Sequence, residues 1–369
     1  MLKKYPFYLK STVVLFGLIL LTYALFHLAD TLIPLAFSVM LAILLNPLTN
    51  FLVKKGHFPH VVSISVAVLV AMLILIGIGL LLVMEVRGFS DQLPIFQKKL
   101  AEMGSKAQAF MQQHLGMDRN QQQQYLHEGK TALKPLLAAT ASSALGGFAG
   151  FVLLPIYTFL FLFYKALLLN FLYEVFAEEN ESSVRKILTE TKSAIQQYMF
   201  GLLLEAIIVA TLNSVALLIL GVKYAVLLGV MGALLNVIPF IGGILAVLIP
   251  VVIATLTQSG IHTQVAICIA YAIIQFTDNH FLIPYVVSSK VKINALVSII
   301  IVFLGGSLWG VSGMFLSIPF TGVLKIIFDR VPDLKPWGKL LGTEVPTQHK
   351  GQFRQISRRI GKSLSGKKN

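Results

Sequence analysis

Asp278, Asn279 and His280 stand side by side in the stretch 271–287, YAIIQFTDNHFLIPYVV, with Gln275 about one helical turn before them and Pro284 after. A carboxylate among amides can hold a cation or exchange a proton, and a neighbouring imidazole can pass a proton on. The surrounding residues are apolar. On membrane-insertion scales an ionisable side chain at the bilayer centre costs roughly 3 kcal/mol, so Asp278 needs a partner, water or a function. Glu205 and Asn213 lie on roughly one helical face of another apolar run and add a second carboxylate. For Glu205, an ion site and a snorkelling or salt-bridged carboxylate stand as equal readings. Asn236 joins the candidate substrate- or ion-binding set. It precedes Pro239, Gly242 and Gly243 in NVIPFIGG, where proline removes a donor and paired glycines let the chain reverse.

The composition says what must position these groups. Of 369 residues, 56% are hydrophobic and only 12% charged, with mean hydropathy +0.80. Soluble domains carry about 25% charged residues, so an all-α polytopic membrane protein is expected. The net charge of +14 resides at the ends of apolar runs and in the C-terminal tail. Anionic lipid at the cytoplasmic leaflet explains that pattern, and nucleic acid is not an expected partner. The single cysteine, Cys268, allows no internal disulfide and no Cys-based metal site. With no HExxH and no P-loop, zinc proteolysis and ATP-driven pumping have no support, and neither metal nor cofactor is expected.

Five divisions follow along the chain. Residues 1–84 hold three spans, at 11–28, 31–53 and 61–84, the first two joined by a tight turn at Asp30. Each approaches or passes the roughly 20 residues that cross about 30 Å of hydrocarbon. Lys3, Lys4 and Lys10 precede a first span read as retained rather than cleaved. Together with Lys54 and Lys55 they place the N-terminus in the cytoplasm. Asn46-Pro47 reads as a kink near the end of the second span. Residues 85–143 form an extracytoplasmic insert whose first half is an amphipathic helix, with Ile95, Phe96, Leu100, Met103, Ala107 and Phe110 on its apolar face.

Residues 144–199 hold a fourth span, 144–169, opened by Gly146, Gly147 and Gly150 and bent at Pro155, then a polar cytoplasmic linker. Residues 200–328 are the expected transport core, beginning with a span at 200–220. The next apolar run, 225–256, would reach almost 50 Å as one helix, too long for one ordinary crossing. A re-entrant hairpin broken at NVIPFIGG fits better, because irregular backbone at membrane depth survives only against protein or a wet cavity. The span 263–287 carries Asp278 back across, with Lys290 and Lys292 after it. The run 295–328 is again over-long and broken at GGSLWGVSG, with Gly305 and Gly306 at the break, and its Ile318-Pro319-Phe320 echoes Ile238-Pro239-Phe240. Two hairpins put Lys290 and Lys292 in the cytoplasm. They also make 200–256 and 263–328 two span-plus-hairpin units of opposite orientation, as in inverted-repeat transporters.

NVIPFIGGILA, QFTDNHFLIP and GGSLWGVSGMFLSIPF resemble the C-terminal signatures of the autoinducer-2 exporter (AI-2E) family of bacterial membrane transporters. The likeness extends over most of the chain. It implies a multi-pass protein of the bacterial inner membrane, with about eight membrane segments, that exports a small molecule. Autoinducer-2, and hence quorum sensing, is associated with some members and sodium/proton antiport with others. It also implies a homo-oligomer. By residue it assigns importance to Asp278, Asn279, Pro239, Gly242, Gly243, Pro284, Gly305, Gly306 and Pro319. Glu205 stands where the family pattern leads one to expect a neutral residue.

The expected function is therefore a permease, not an enzyme, that exports a small polar molecule on a proton or sodium gradient. A sodium/proton antiporter is the alternative. Gly310-Val311-Ser312-Gly313 also matches the G-x-S-G of intramembrane serine proteases, with His280 as a conceivable base. So short a match arises by chance, and glycines at a hairpin tip already explain it. A membrane scaffold without transport would leave Asp278 without purpose. Residues 329–369 form a basic cytoplasmic tail, in which Phe353, Ile356, Ile360 and Leu364 keep helical spacing amid Arg354, Arg358 and Arg359. That pattern suits an interfacial helix on anionic lipid, and solvated disorder after Gly361 is the other reading.

Overall fold

In the computed structural model residues 181–199 of the polar linker and the apolar run that follows form one uninterrupted helix, Glu181–Ile219, against which most of the transport core packs. The structure describes residues 6–90, 152–176, 181–238, 242–257, 261–287 and 293–343. The insert helix, Gly146, Gly147 and Gly150, Pro239, Lys290 and Lys292, and the tail beyond residue 343 lie outside these residues. Helices in chain order are α1 (Phe7–His27), α2 (Ala29–Lys54), α3 (His60–Ser90), α4 (Val152–Phe163), α5 (Lys165–Phe176), α6 (Glu181–Ile219), α7 (Ala225–Asn236), α8 (Gly242–Thr257) and α9 (His262–Thr277). A π-helical segment, Asp278–Val287, continues α9, and α10 (Ala295–Arg330) and α11 (Lys335–Leu341) follow. No strand occurs among the described residues.

The protein is all-helical and polytopic. Five described helices are long and apolar enough to cross a membrane, Ala29–Lys54, His60–Leu80, Glu181–Ile219, His262–Tyr285 and Ala295–Arg330, and the bent pair α4–α5 would make a sixth. The expected eight segments are not all reached by this measure, because Ser11–His27, α7 and α8 are short of a full crossing. Side chains such as Val13, Phe16, Ile19 and Leu21 of α1 are more than half exposed, as hydrocarbon contact requires.

The N-terminal half differs locally from its sequence reading. Leu28 alone joins α1 to α2, and Asp30 lies in the first turn of α2, where a carboxylate suits the positive end of the helix dipole. Helix α2 runs on through Pro47 to Lys54, and buried Asn46 accepts a hydrogen bond from Lys165 Nζ at 2.8 Å. The fourth span does not bend at Pro155, which α4 accommodates. It bends by 64° between Phe163 and Lys165, where Lys165 reaches across to Asn46.

Helix α6 ends in a Schellman turn. Gly221 adopts φ +65°, Val222 N–H donates to Leu217 C=O at 2.9 Å, and Gly221 N–H donates to Leu218 C=O at 3.0 Å. Leu217 and Val222 are both buried in the same apolar cluster, which is the contact that usually accompanies this turn. The reversal lays α7 against α6. A β-carbon on Gly229 would fall 2.5 Å from the backbone nitrogen of Ser214, so only glycine allows the crossing.

Both over-long runs fold back on themselves. Helices α7 and α8 have 12 and 16 residues, and a methyl on Gly232 would lie 3.4 Å from the Ala246 β-carbon. One straight helix would hold those residues about 21 Å apart. In α10 the helix breaks at Trp309 and Gly310, the latter at φ +59° and ψ −141°. Ser317 Oγ donates to Ile301 C=O at 2.9 Å, across a separation that a straight helix would stretch to about 24 Å. The arms touch at Gly305, where a β-carbon would sit 2.5 Å from the Gly313 carbonyl oxygen.

The mouth of this second hairpin is clasped by Asn294. Its Oδ1 accepts from Val297 N–H at 2.9 Å and caps α10. Its Nδ2 donates to the Leu340 and Gly342 carbonyls at 2.7 and 3.1 Å, and its N–H donates to the Leu341 carbonyl at 3.0 Å. Arg330, at the end of α10, pairs with Glu190 near the start of α6. The first hairpin leaves from the other end of α6, beyond Gly221. The two hairpins therefore enter the bundle from opposite ends of one helix.

The Ile-Pro-Phe echo does not mark equivalent places. Ile238 closes the α7 end of the first tip, whereas Pro319 lies buried in the returning arm of α10, beyond the break at Trp309 and Gly310. The likeness reflects residue types that suit broken helices and does not register the two hairpins on each other.

Candidate functional site

Asp278 stands where α9 widens into the π segment. Pro284 offers no N–H to the helical ladder and its ring crowds the preceding turn, a conflict that a wider turn relieves. This segment packs on α6, and α9 packs on α6 and α8. Asp278 is consequently driven into the protein, at 1% exposure.

Three elements meet at its carboxylate. Asn236, the last residue of α7, donates from Nδ2 to Asp278 Oδ2 at 2.9 Å. The same nitrogen lies 3.4 Å from Glu205 Oε1 on α6, at the long end of a hydrogen bond. Gln275 Nε2 is 3.5 Å from Asp278 Oδ2, at the outer limit of such a bond, and Gln275 packs against Gly243 at the start of α8. One amide at the tip of the first hairpin is thus shared by two buried carboxyl groups from two other helices, Glu205 being 7% exposed. Two negative charges this close in a medium of low dielectric repel strongly, and a proton or a bound cation removes the repulsion. Asp278 Oδ1 has no hydrogen-bond partner among the described residues.

Four of the five residues proposed from sequence are brought together: Asp278, Asn236, Gln275 and Glu205. The exception is Asn279, which is exposed, so the neutral partner of the carboxylate is Asn236 on another element and not the neighbour in sequence. His280 is also exposed. Its ring stacks on Phe276 and its Nδ1 donates to the Phe276 carbonyl at 3.0 Å, within its own helix. Gly242 packs on the α7 backbone, where a β-carbon would fall 1.9 Å from the Leu235 carbonyl oxygen. Gly306 meets Met314 across the second hairpin, and Pro284 is exposed.

A cavity of about 950 Å³ opens elsewhere, between α1 and both arms of α10, lined by Leu15, Ile19, Leu304, Gly305, Leu316 and Phe320 among others. Its walls are mainly aliphatic and aromatic, with hydroxyls from Thr22, Ser307, Ser317 and Thr321, and neither Glu205 nor Asp278 lines it. Trp309 stands beside it at the tip of the second hairpin, its indole N–H donating to the Leu25 carbonyl at 2.9 Å.

The model of the family described as "AI-2E family transporter" matches residues 13–333. The chain belongs to the AI-2E transporter family. It is similar to YrrI of Bacillus subtilis (strain 168), with 25% identity over 351 residues covering 89% of this chain and 97% of that protein. It is similar to YhhT of Escherichia coli (strain K12), with 24% identity over 321 residues covering 86% and 90%. Against PerM of the same strain, identity is 30% over 183 residues, 49% of this chain and 51% of PerM. The names of the first two class them provisionally as transport proteins, and that of PerM as a permease.

Membership in this family makes the chain a membrane transporter in class. Two parts of its core were not singled out by sequence reasoning. Asn294 clasps the second hairpin, and its only sequence signal is an N-cap residue type just ahead of an apolar run. The pairing of Asn236 with Asp278 has no local signal at all, since 42 residues separate them.

Proposed function

We propose that the chain is a secondary transporter that exports a small polar molecule such as autoinducer-2, coupled to a proton or sodium gradient. In this reading Asp278 is the group that answers the ion. The observation that carries it is the Asn236 amide held between the Asp278 and Glu205 carboxyls. Binding or losing a cation or proton there changes how firmly the first hairpin is tied to α6 and to the π segment. Such a change gives the ion different free energies in two arrangements of the hairpin, which is what coupling requires. Opposite entry of the two hairpins supports an inverted-repeat core. The basic residues at the N-terminus, after the second span and around 290–292 support an inner-membrane protein with both termini in the cytoplasm. A homo-oligomer, with anionic lipid at the tail, completes the reading.

Sodium/proton antiport is the second reading. It is favoured by one feature: the roomy cavity beside α1 lies away from the two carboxyls that share the Asn236 amide. An intramembrane protease is not proposed, since His280 is exposed and bonded within its own helix.

Purified protein in liposomes separates these readings. Export predicts proton or sodium flux that depends on an added small polar substrate, with autoinducer-2 the first to try. Antiport predicts sodium flux driven by a proton gradient with no organic substrate. Absence of both, in protein shown to be folded, contradicts transport coupled at this site.

A further inference from the structure

Three buried polar atoms on α9 and its continuation lack any hydrogen-bond partner among the described residues: Gln264 Oε1, the Tyr271 hydroxyl and Asp278 Oδ1. They recur at seven-residue steps, which keeps them on one face of the helix over about 21 Å. Tyr271 is 3% exposed and Asp278 is 1% exposed, so solvent does not satisfy them from outside. Tyr271 in this row packs on α8 with Ala246, Ile253 and Ala254, in the apolar cluster that also holds Ile267, and the Asp278 end packs on α6. A fourth such atom, Asn213 Oδ1, lies on α6 beside Gly232, which in turn abuts Ala246. An unsatisfied polar group in hydrocarbon costs several kcal/mol, and a buried one is ordinarily paired with protein or with water. One orphan is a local imperfection. A row in heptad register that ends at the carboxylate asks for a common explanation.

We infer that this row is an access path along which water, and with it a proton or a small monovalent cation, reaches Asp278 from the end of the bundle where α9 begins. That end is the one where the first hairpin enters, opposite the Arg330–Glu190 pair. Gln264, half-buried, forms the mouth and Tyr271 the midpoint. The neighbouring groups Asn213, Gln275 and Asn236 are all neutral, so the path carries no fixed charge before Asp278. The inference rests on the reading of Asp278 as the ion-responsive group.

Cysteine accessibility tests it in the full-length protein in membrane vesicles, with Cys268→Ser removing the native thiol. The probe is a hydrophilic, membrane-impermeant quaternary ammonium methanethiosulfonate. Gln264→Cys and Tyr271→Cys should be labelled, and only from the side that labels Ile261→Cys, which is exposed just before α9. Ile273→Cys, 62% exposed on the outer face, should stay unlabelled. Ile64→Cys, also shortened but fully buried in a separate apolar cluster away from the cavity beside α1, should also stay unlabelled. Failure to label Tyr271→Cys, labelling from the opposite side, or equal labelling of Ile64→Cys overturns the path. Should Tyr271→Cys not assemble, Tyr271→Phe keeps the ring and removes the hydroxyl. It should slow ion-driven flux several-fold, and an unchanged rate overturns the path. Labelling requires no turnover, so its failure leaves the reading of Asp278 standing, whereas an active Asp278→Asn protein overturns that reading and not the labelling.

Discussion

The Asn236 amide nitrogen donates to Asp278 Oδ2 at 2.9 Å while lying 3.4 Å from Glu205 Oε1, so the tip of the first hairpin is moored at a pair of carboxyl groups. The mooring joins two acidic side chains through one neutral amide, inside a bundle whose core is mainly apolar. Its strength therefore depends on whether those carboxyls are charged, protonated or occupied by a cation.

The first prediction concerns that mooring. Asn236→Ala leaves Asp278 with only the long contact from Gln275, and orphaning a buried acceptor costs about 1–3 kcal/mol. Thermal unfolding of the purified protein in detergent should fall accordingly. In a cycle of Asn236→Ala, Asp278→Ala and the double variant, each single change removing the bond, the coupling should be about 0.5–3 kcal/mol. Additive effects would show that the two side chains do not act together.

The paired glycines at the first tip should respond differently. A β-carbon on Gly242 would meet the Leu235 carbonyl oxygen at 1.9 Å, which is backbone and cannot yield cheaply. On Gly243 it would meet the far end of Gln275 at 2.9 Å, which can swing aside. Gly242→Ala should thus lower stability by about 1–3 kcal/mol, the usual range for overpacking, and reduce the yield of assembled protein. Gly243→Ala should assemble normally and alter flux through displacement of Gln275. Equal effects on assembly would contradict this placement of the tip.

Much of the architecture was legible in the sequence because bilayer physics writes it there. Runs too long for one crossing, interrupted by Gly242-Gly243 and by Gly305 to Gly313, announce reversals, and the structure folds back at both. Asp278 announces itself as an ionisable group in an apolar run. What was hidden depends on tertiary contact. The partner of Asp278 comes from another element, while its neighbour Asn279 points away, because π-helical winding rather than adjacency decides what faces inward. The bend of the fourth span follows the Lys165–Asn46 bond and not Pro155, since a proline can be absorbed within a helix and a distant hydrogen bond leaves no local trace. The polar linker joins α6 because helix continuity costs little once one end is packed.

Asn294 separates two roles in one side chain. Asn294→Asp keeps the oxygen that caps α10 but loses the amide donor to Leu340 and Gly342, whereas Asn294→Ala loses both. Loss of an N-cap costs about 0.5–2 kcal/mol, so the alanine variant should be the less stable by roughly that amount in a melt. Cysteines at Lys223 and Gln258, flanking the first hairpin, should label from one face of the membrane, and Ser289 from the other. Labelling of Ser289 and Gln258 from the same face would contradict the hairpin arrangement.

Gradient-driven flux through Asp278→Asn protein in liposomes tests the central claim most directly. The substitution keeps the shape of the side chain and its capacity to accept from Asn236, but removes the charge that takes up a proton or cation. The variant should assemble and unfold within about 1 kcal/mol of the parent, the scale of one exchanged hydrogen bond, and its ion-coupled flux should be lost. Wild-type flux in the assembled variant would make Asp278 a structural clasp and contradict its role as the ion-responsive group.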